Sequence, residues 1–186
     1  MSGEHFFHDY FGTVAERLND IAPESLEQVA TMVRRAHGSG NKVILAGNGG
    51  SAAMASHVAV DLTKAAGIRA INFNEADLLT CFANDYGYEN WVAKALEFYA
   101  DSGDLVVLIS SSGASQNMIN GAEQAGAMGL TVISLSGFSP DNPLRQLGDL
   151  NLWVASDAYN IVEMTHHIWL LAIVDYIIGD IEYSAS

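Results

Sequence analysis

Five short apolar runs, at residues 42–46, 69–73, 105–109, 131–135 and 150–154, alternate along this chain with longer segments of helical periodicity. Strands separated by helices join through crossovers, and runs apolar on both faces read as a parallel sheet covered on both sides. The alternation therefore sets the class as α/β. Ahead of the first run, residues 4–20 place Phe6, Phe7, Tyr10, Phe11, Val14, Ala15 and Leu18 on a helical period. Residues 23–37 repeat it with Leu26, Val29, Ala30 and Val33, and Pro23 and Glu24 suit the start of that second helix. Residues 160–181 read as a long closing helix, apolar on nearly every side. Such a helix belongs in a core or between subunits. The aromatic face of the first helix makes the same demand, so a homo-oligomer is expected.

At 186 residues, with no repeat or linker, the chain reads as one domain over 1–186. A net charge of −14 with only 8 Lys+Arg argues against a nucleic-acid footprint. A phosphorylated small ligand would have to be held by backbone amides, hydroxyls and helix ends. Cys81, the only cysteine, excludes an intramolecular disulfide and points to a reducing compartment; its apolar surroundings at 78–83 predict a buried, inert thiol. The stretch Met1 to Asp9 lacks the basic and apolar regions of a signal peptide. The longest uncharged apolar run, 168–174, is too short to cross a bilayer. A cytoplasmic protein without a membrane segment is the expectation.

Two turns carry the chemistry. The first strand runs into Gly47-Asn48-Gly49-Gly50-Ser51 and then a helix. Glycines let backbone approach a ligand closely, and the first amides of a helix are free donors at a positive dipole end. A plain strand-to-helix turn is the alternative. The third strand runs into Ser110-Ser111-Ser112-Gly113-Ala114-Ser115, whose hydroxyls can donate to phosphate and whose Ser115 suits a helix N-cap. At the carboxyl ends of parallel strands, the two turns converge where open α/β sheets bind ligands. His57 and Asp61 lie i, i+4 beyond the glycine turn, a spacing for a metal, an acid/base pair or an ordinary surface pair. Glu163, His166 and His167 sit in the apolar closing helix, where polar groups are costly unless paired or coordinated. Stacked on His57 and Asp61, they would complete a metal site or a catalytic dyad. Residues 84–89 carry polar groups that favour turns and read as a loop and helix start that break the helix carrying Cys81.

Taken in order, Gly47 to Ser51 with His57, Ala83-Asn84-Asp85-Tyr86-Gly87, Ile109 to Ser115, and Val162-Glu163 with His166 resemble the sugar isomerase (SIS) domain family. Within it, the likeness is to phosphoheptose isomerases and their non-enzymatic relatives that bind the replication initiator DnaA. The resemblance implies a flavodoxin-like three-layer fold with a five-stranded parallel sheet, and a homotetramer with sites between subunits. It also implies a phosphosugar ligand, no organic cofactor, and a zinc or other divalent ion in some members. By position, Asn48, Gly49, Gly50 and Ser51 match the sugar-contacting turn, Asn84 and Asp85 match substrate contacts, and Ser110, Ser111, Ser112 and Ser115 match the phosphate cradle. His57 matches a metal ligand; the glutamate that follows it in the family is here Asp61, and Glu163 stands where the isomerases have glutamine. The family's histidine acid falls on Leu171, and His167, one turn earlier, is the substitute. Asp61, Glu163 and His167 are thus the catalytic candidates, and with His57 the metal candidates. The alternatives are a non-catalytic phosphosugar-binding tetramer acting through DnaA and a purely structural oligomer.

Overall fold

The computed structural model describes residues 3–182. Met1, Ser2 and residues 183–186, the ends of the expected domain and of the stretch read for a signal peptide, lie outside them. The described residues form five parallel strands: β1 (Val43–Gly47), β2 (Ala70–Asn72), β3 (Leu105–Ser110), β4 (Thr131–Ser136) and β5 (Leu150–Trp153). Their order is β2-β1-β3-β4-β5, the flavodoxin-like arrangement, and each run lies within two residues of its expected bounds. Around them lie α1 (Gly3–Asn19), α2 (Pro23–Gly38), α3 (Gly50–Lys64), α4 (Ala76–Tyr86), a 3-10 turn (Tyr88–Asn90), α5 (Trp91–Tyr99), α6 (Gln116–Ala127), α7 (Pro143–Leu147) and α8 (Tyr159–Ile178).

Strand residues alternate between two cores. Leu45, Val107, Ile109 and Leu135 point to one, with Met54 and Val58 of α3 and Trp169, Leu170 and Ile173 of α8. Ile44, Ala46, Val106 and Leu108 point to the other, with Trp91, Val92 and Leu96 of α5 and Met118 of α6. At about 1.5–3 kcal/mol per buried large side chain, these two layers are the main source of cohesion. At the amino ends of β1 and β3, the Lys42 ammonium lies 2.5 Å from Asp104 and 2.7 Å from Asp101. The buried Asp104 also accepts the backbone amides of Lys42 (2.9 Å) and Asp101 (2.8 Å). Burial works against both charges; the hydrogen bonds and mutual attraction prevail, so Lys42 is shifted up and Asp104 down.

Three local expectations need correction. The closing helix stops at Ile178, short of 181, because Gly179 turns left-handed (φ 93°) and its N–H closes onto the Asp175 carbonyl. Helix α4 continues through Asn84 and Asp85 to Tyr86 and ends at Gly87 (φ 86°), so the polar pair is helical and no loop follows Cys81. Cys81 is exposed: α4 turns Leu78, Leu79 and Phe82 to the core, and the thiol falls off that face. The nearby Asp85 charge, with slight burial, holds the thiol above its ordinary range. By length and hydropathy α8 could cross a membrane, yet it packs on α1, α2 and α3 and contributes eight buried residues.

Candidate active site

β1 leaves the sheet between β2 and β3, the point where successive crossovers diverge and open sheets form a crevice. Both turns flank that crevice. The glycine turn is sterically required: a Cβ on Gly47 would press into the Ser51 backbone at 2.7 Å, and Gly49, which precedes α3, has φ 54°. Gly50 has the carboxylate of Glu163 directly over it, where any Cβ would sit. The amino end of α3 therefore faces a carboxylate from α8, as its dipole favours.

Across the crevice, Ser110 Oγ donates to Ser115 Oγ (3.0 Å), and Ser112 Oγ accepts the Ala114 amide (3.2 Å). Ser115 occupies the N-cap position of α6, but its hydroxyl faces Ser110 and does not cap the helix. Ser111 Oγ is buried without a partner. The loop is clamped from behind. The Gly137 amide donates to Ser111 O and the Leu144 amide to Gly113 O. Gly113 (φ 62°) lies so close to the Asn142 side chain that no Cβ would fit. Asn142 is itself held by donating to Gly137 O (3.1 Å) and Ser139 O (2.8 Å).

The ionisable groups fall into two sets. His57 Nε2 lies 3.3 Å from Asp61 Oδ2, and His57 Nδ1 lies 3.0 Å from His167 Nε2, with the rings edge to face. Partial burial, then the neighbouring His57, lowers the His167 pKa against the opposing pull of Asp61. Glu163 lies one turn before His167 on the same helix, with its carboxylate over Gly50. His166 does not join it. It points into the core, its Nε2 3.0 Å from Ser136 O and its Nδ1 unpartnered, and burial lowers its pKa to about 4.

His57, Asp61, Glu163 and His167 were the metal candidates. Both ring nitrogens of His57 are engaged, on opposite edges, and among the described residues no three His, Cys, Asp or Glu side chains converge on a point suited to an ion. As placed, the donors do not fit a metal.

On the exposed end of α4, Asn84 Nδ2 donates to Asp85 Oδ1 (2.8 Å). Two residues given no role in the sequence reading do reach the site. Tyr88 Oη donates to Asn48 Oδ1 (3.0 Å), and the buried Asn117 exchanges two hydrogen bonds with the Asn48 amide (2.8 and 3.0 Å). Tyr88 stood in a stretch noted only for polarity, and Asn117 is marked in the sequence only as a polar residue opening α6.

A family model described as SIS domain matches residues 7–137. The phosphoheptose isomerase of Akkermansia muciniphila is 33% identical over 85% of this chain and 84% of its own. The solved phosphoheptose isomerase of Neisseria gonorrhoeae superposes with a TM-score of 0.86 at 26% identity, over 94% of this chain and 97% of the other. That of Francisella tularensis gives 0.87 at 25%, over 96% and 99%.

Proposed function

The chain belongs to the SIS domain family, in its phosphoheptose isomerase branch, and from that premise we propose that it interconverts a ketose and an aldose phosphate, with sedoheptulose 7-phosphate as substrate. The observation that carries the catalytic reading is the run in which Asp61 lies 3.3 Å from His57 and His57 is hydrogen-bonded to His167, on the same helix as the Glu163 carboxylate over the glycine turn. It puts a carboxylate and an imidazole one helical turn apart at a crevice with a serine loop on its far side.

In this reading the hydroxyls of Ser110, Ser111, Ser112 and Ser115 and the first amides of α6 hold the phosphate. Asn48, Gly49, Gly50 and Ser51 line the sugar end, and Asn84 and Asp85 contact substrate from α4. Glu163 takes a proton from C1 of the ketose; that C–H pair becomes the C1=C2 bond of an enediol as His167 gives a proton to the C2 oxygen. Glu163 then returns its proton to C2 while the C1 hydroxyl gives its proton back to His167, leaving an aldehyde. Asp61 holds His57, and His57 holds His167 in place.

A zinc or other divalent ion would draw on His57, Asp61, Glu163 and His167 only after the two imidazoles part; elemental analysis of the purified chain tests this. The exposed Phe6, Phe7 and Phe11 of α1 and Met164 and Ile168 of α8 support assembly with further copies, a tetramer by the family's pattern, in the cytoplasm.

The test is turnover of sedoheptulose 7-phosphate by the purified chain. Glu163→Ala and His167→Ala should each lower it by at least about a hundredfold. Leu171, packed against the core where the family places its histidine, favours a second reading, a phosphosugar-binding tetramer acting through a partner such as DnaA. Wild-type protein that is stabilised by the sugar phosphate yet never turns it over, and that captures DnaA, would establish that reading. Protein neither stabilised nor active defeats both.

A further inference from the structure

We infer that Asn117 and Tyr88 are positioning residues that lock the Asn48 amide so that it offers the ligand one N–H donor and no acceptor. A side-chain amide has two acceptor sites on oxygen and two N–H donors. Both sites on Asn48 Oδ1 are filled, one by Tyr88 Oη–H at 3.0 Å and one by Asn117 Nδ2–H at 2.8 Å. One Asn48 Nδ2 hydrogen goes to Asn117 Oδ1 at 3.0 Å. A single N–H is left. The group it selects is an acceptor oxygen, a sugar carbonyl or a hydroxyl lone pair.

The lock is built on one helix. Asn117 lies in the first turn of α6 and is 2% exposed, so its exchange with Asn48 proceeds with little competition from water. Asn120, one turn on, donates to Glu89 O (2.9 Å) and Asn90 Oδ1 (3.0 Å) and so ties the turn carrying Tyr88 to the same helix. Helix α6 begins at the serine loop. The element that starts at the phosphate end thus also sets the amide at the sugar end, at a fixed separation.

This inference rests on the phosphosugar reading, and the test separates the two. Binding of sedoheptulose 7-phosphate is measured by calorimetry on the whole chain, alongside NMR of the Asn side-chain amide protons. Asn117→Ala should weaken binding about tenfold and Tyr88→Phe about threefold, the cost of one lost or loosened hydrogen bond each. Asn48→Ala should weaken it similarly, and the Asn48→Ala, Asn117→Ala double variant no further, because Asn117 acts only through Asn48. Asn48→Asp, with no N–H to give, should bind worse than Asn48→Ala. Asn48→Asp that binds like the wild type, or Ala effects that multiply, overturns the lock. Tyr88 is half exposed, so Tyr88→Phe keeps its fold, and unchanged binding and unchanged Asn48 amide signals in that variant overturn it as well. A wild type that binds no sugar phosphate while the Asn48 amide proton bonded to Asn117 stays exchange-protected defeats the functional reading and leaves the lock standing.

Discussion

Gly50→Ala separates the stability of this fold from its proposed chemistry. Gly50 opens α3 at a backbone conformation that any residue adopts, so alanine there reduces the freedom of the unfolded chain and favours the helix, by about 0.5 kcal/mol. The three atoms nearest the new methyl group all belong to the Glu163 carboxylate, whose Cδ and Oε1 would lie 2.8 and 2.9 Å away. Ordinary carbon contacts begin near ~3.5 Å, so the carboxylate must retreat by about 0.6 Å or more. It is the end of a flexible side chain and can do so cheaply. A proton-transfer group displaced by about 1 Å costs roughly a hundredfold in rate. The variant should therefore unfold in urea at the wild-type midpoint or slightly above it while turnover falls by about two orders of magnitude. In a Glu163→Ala background, Gly50→Ala should cost nothing further. A variant that is fully active, or one destabilised by more than about 2 kcal/mol, refutes the argument; so does an equal loss in the Glu163→Ala background, since the methyl group would then be obstructing the sugar itself.

Other perturbations discriminate in the same way. Ser111→Ala removes a buried hydroxyl without a partner, so stability should hold within about 0.5 kcal/mol while calorimetric affinity for the sugar phosphate falls about tenfold. Asp104→Ala leaves the Lys42 ammonium with Asp101 alone and two amides without their acceptor at the opposite end of the sheet, and should cost about 3 kcal/mol in urea denaturation, with ligand affinity unchanged. His166 is neutral when folded, with a pKa of about 4 against 6.5 unfolded, so below pH 6.5 the unfolded chain takes up the proton first. Its contribution is complete above pH 6.5 and is lost as pH falls towards 4, by up to about 3 kcal/mol. Urea midpoints at pH 7 and pH 4.5 should differ less in His166→Gln than in the wild type; equal differences would show that His166 does not titrate in this way.

The layered fold was legible because it depends on patterns that are local and repeated. Apolar runs such as 105–109 carry their strand identity in their own residues, and Gly47 and Gly49 announce a turn that no side chain permits. The two turns that follow β1 and β3 were legible for the same reason: each is a contiguous strand, turn and helix start. Helix ends were less so. Asn84 and Asp85 favour turns in isolation, but α4 passes through them because Leu78, Leu79 and Phe82 are already docked on the core and Gly87 is the first residue to leave the helix. Cys81 was misplaced because composition at 78–83 does not reveal which face a helix turns inward.

By itself, then, the sequence determined the α/β class, the two strand-to-helix turns and the set of ionisable residues on α3 and α8, all consequences of periodicity and of short-range backbone sterics. Tertiary structure decided which of those residues meet. Of the two adjacent histidines on α8, His167 bonds His57 and His166 is buried against Ser136, a difference of about 100° around one helix axis. Glu163 finds Gly50 across more than a hundred positions, and Asn117 and Tyr88 close on Asn48 from two other elements. Such contacts are set by how packed layers orient each face, and no local stretch of chain carries that orientation.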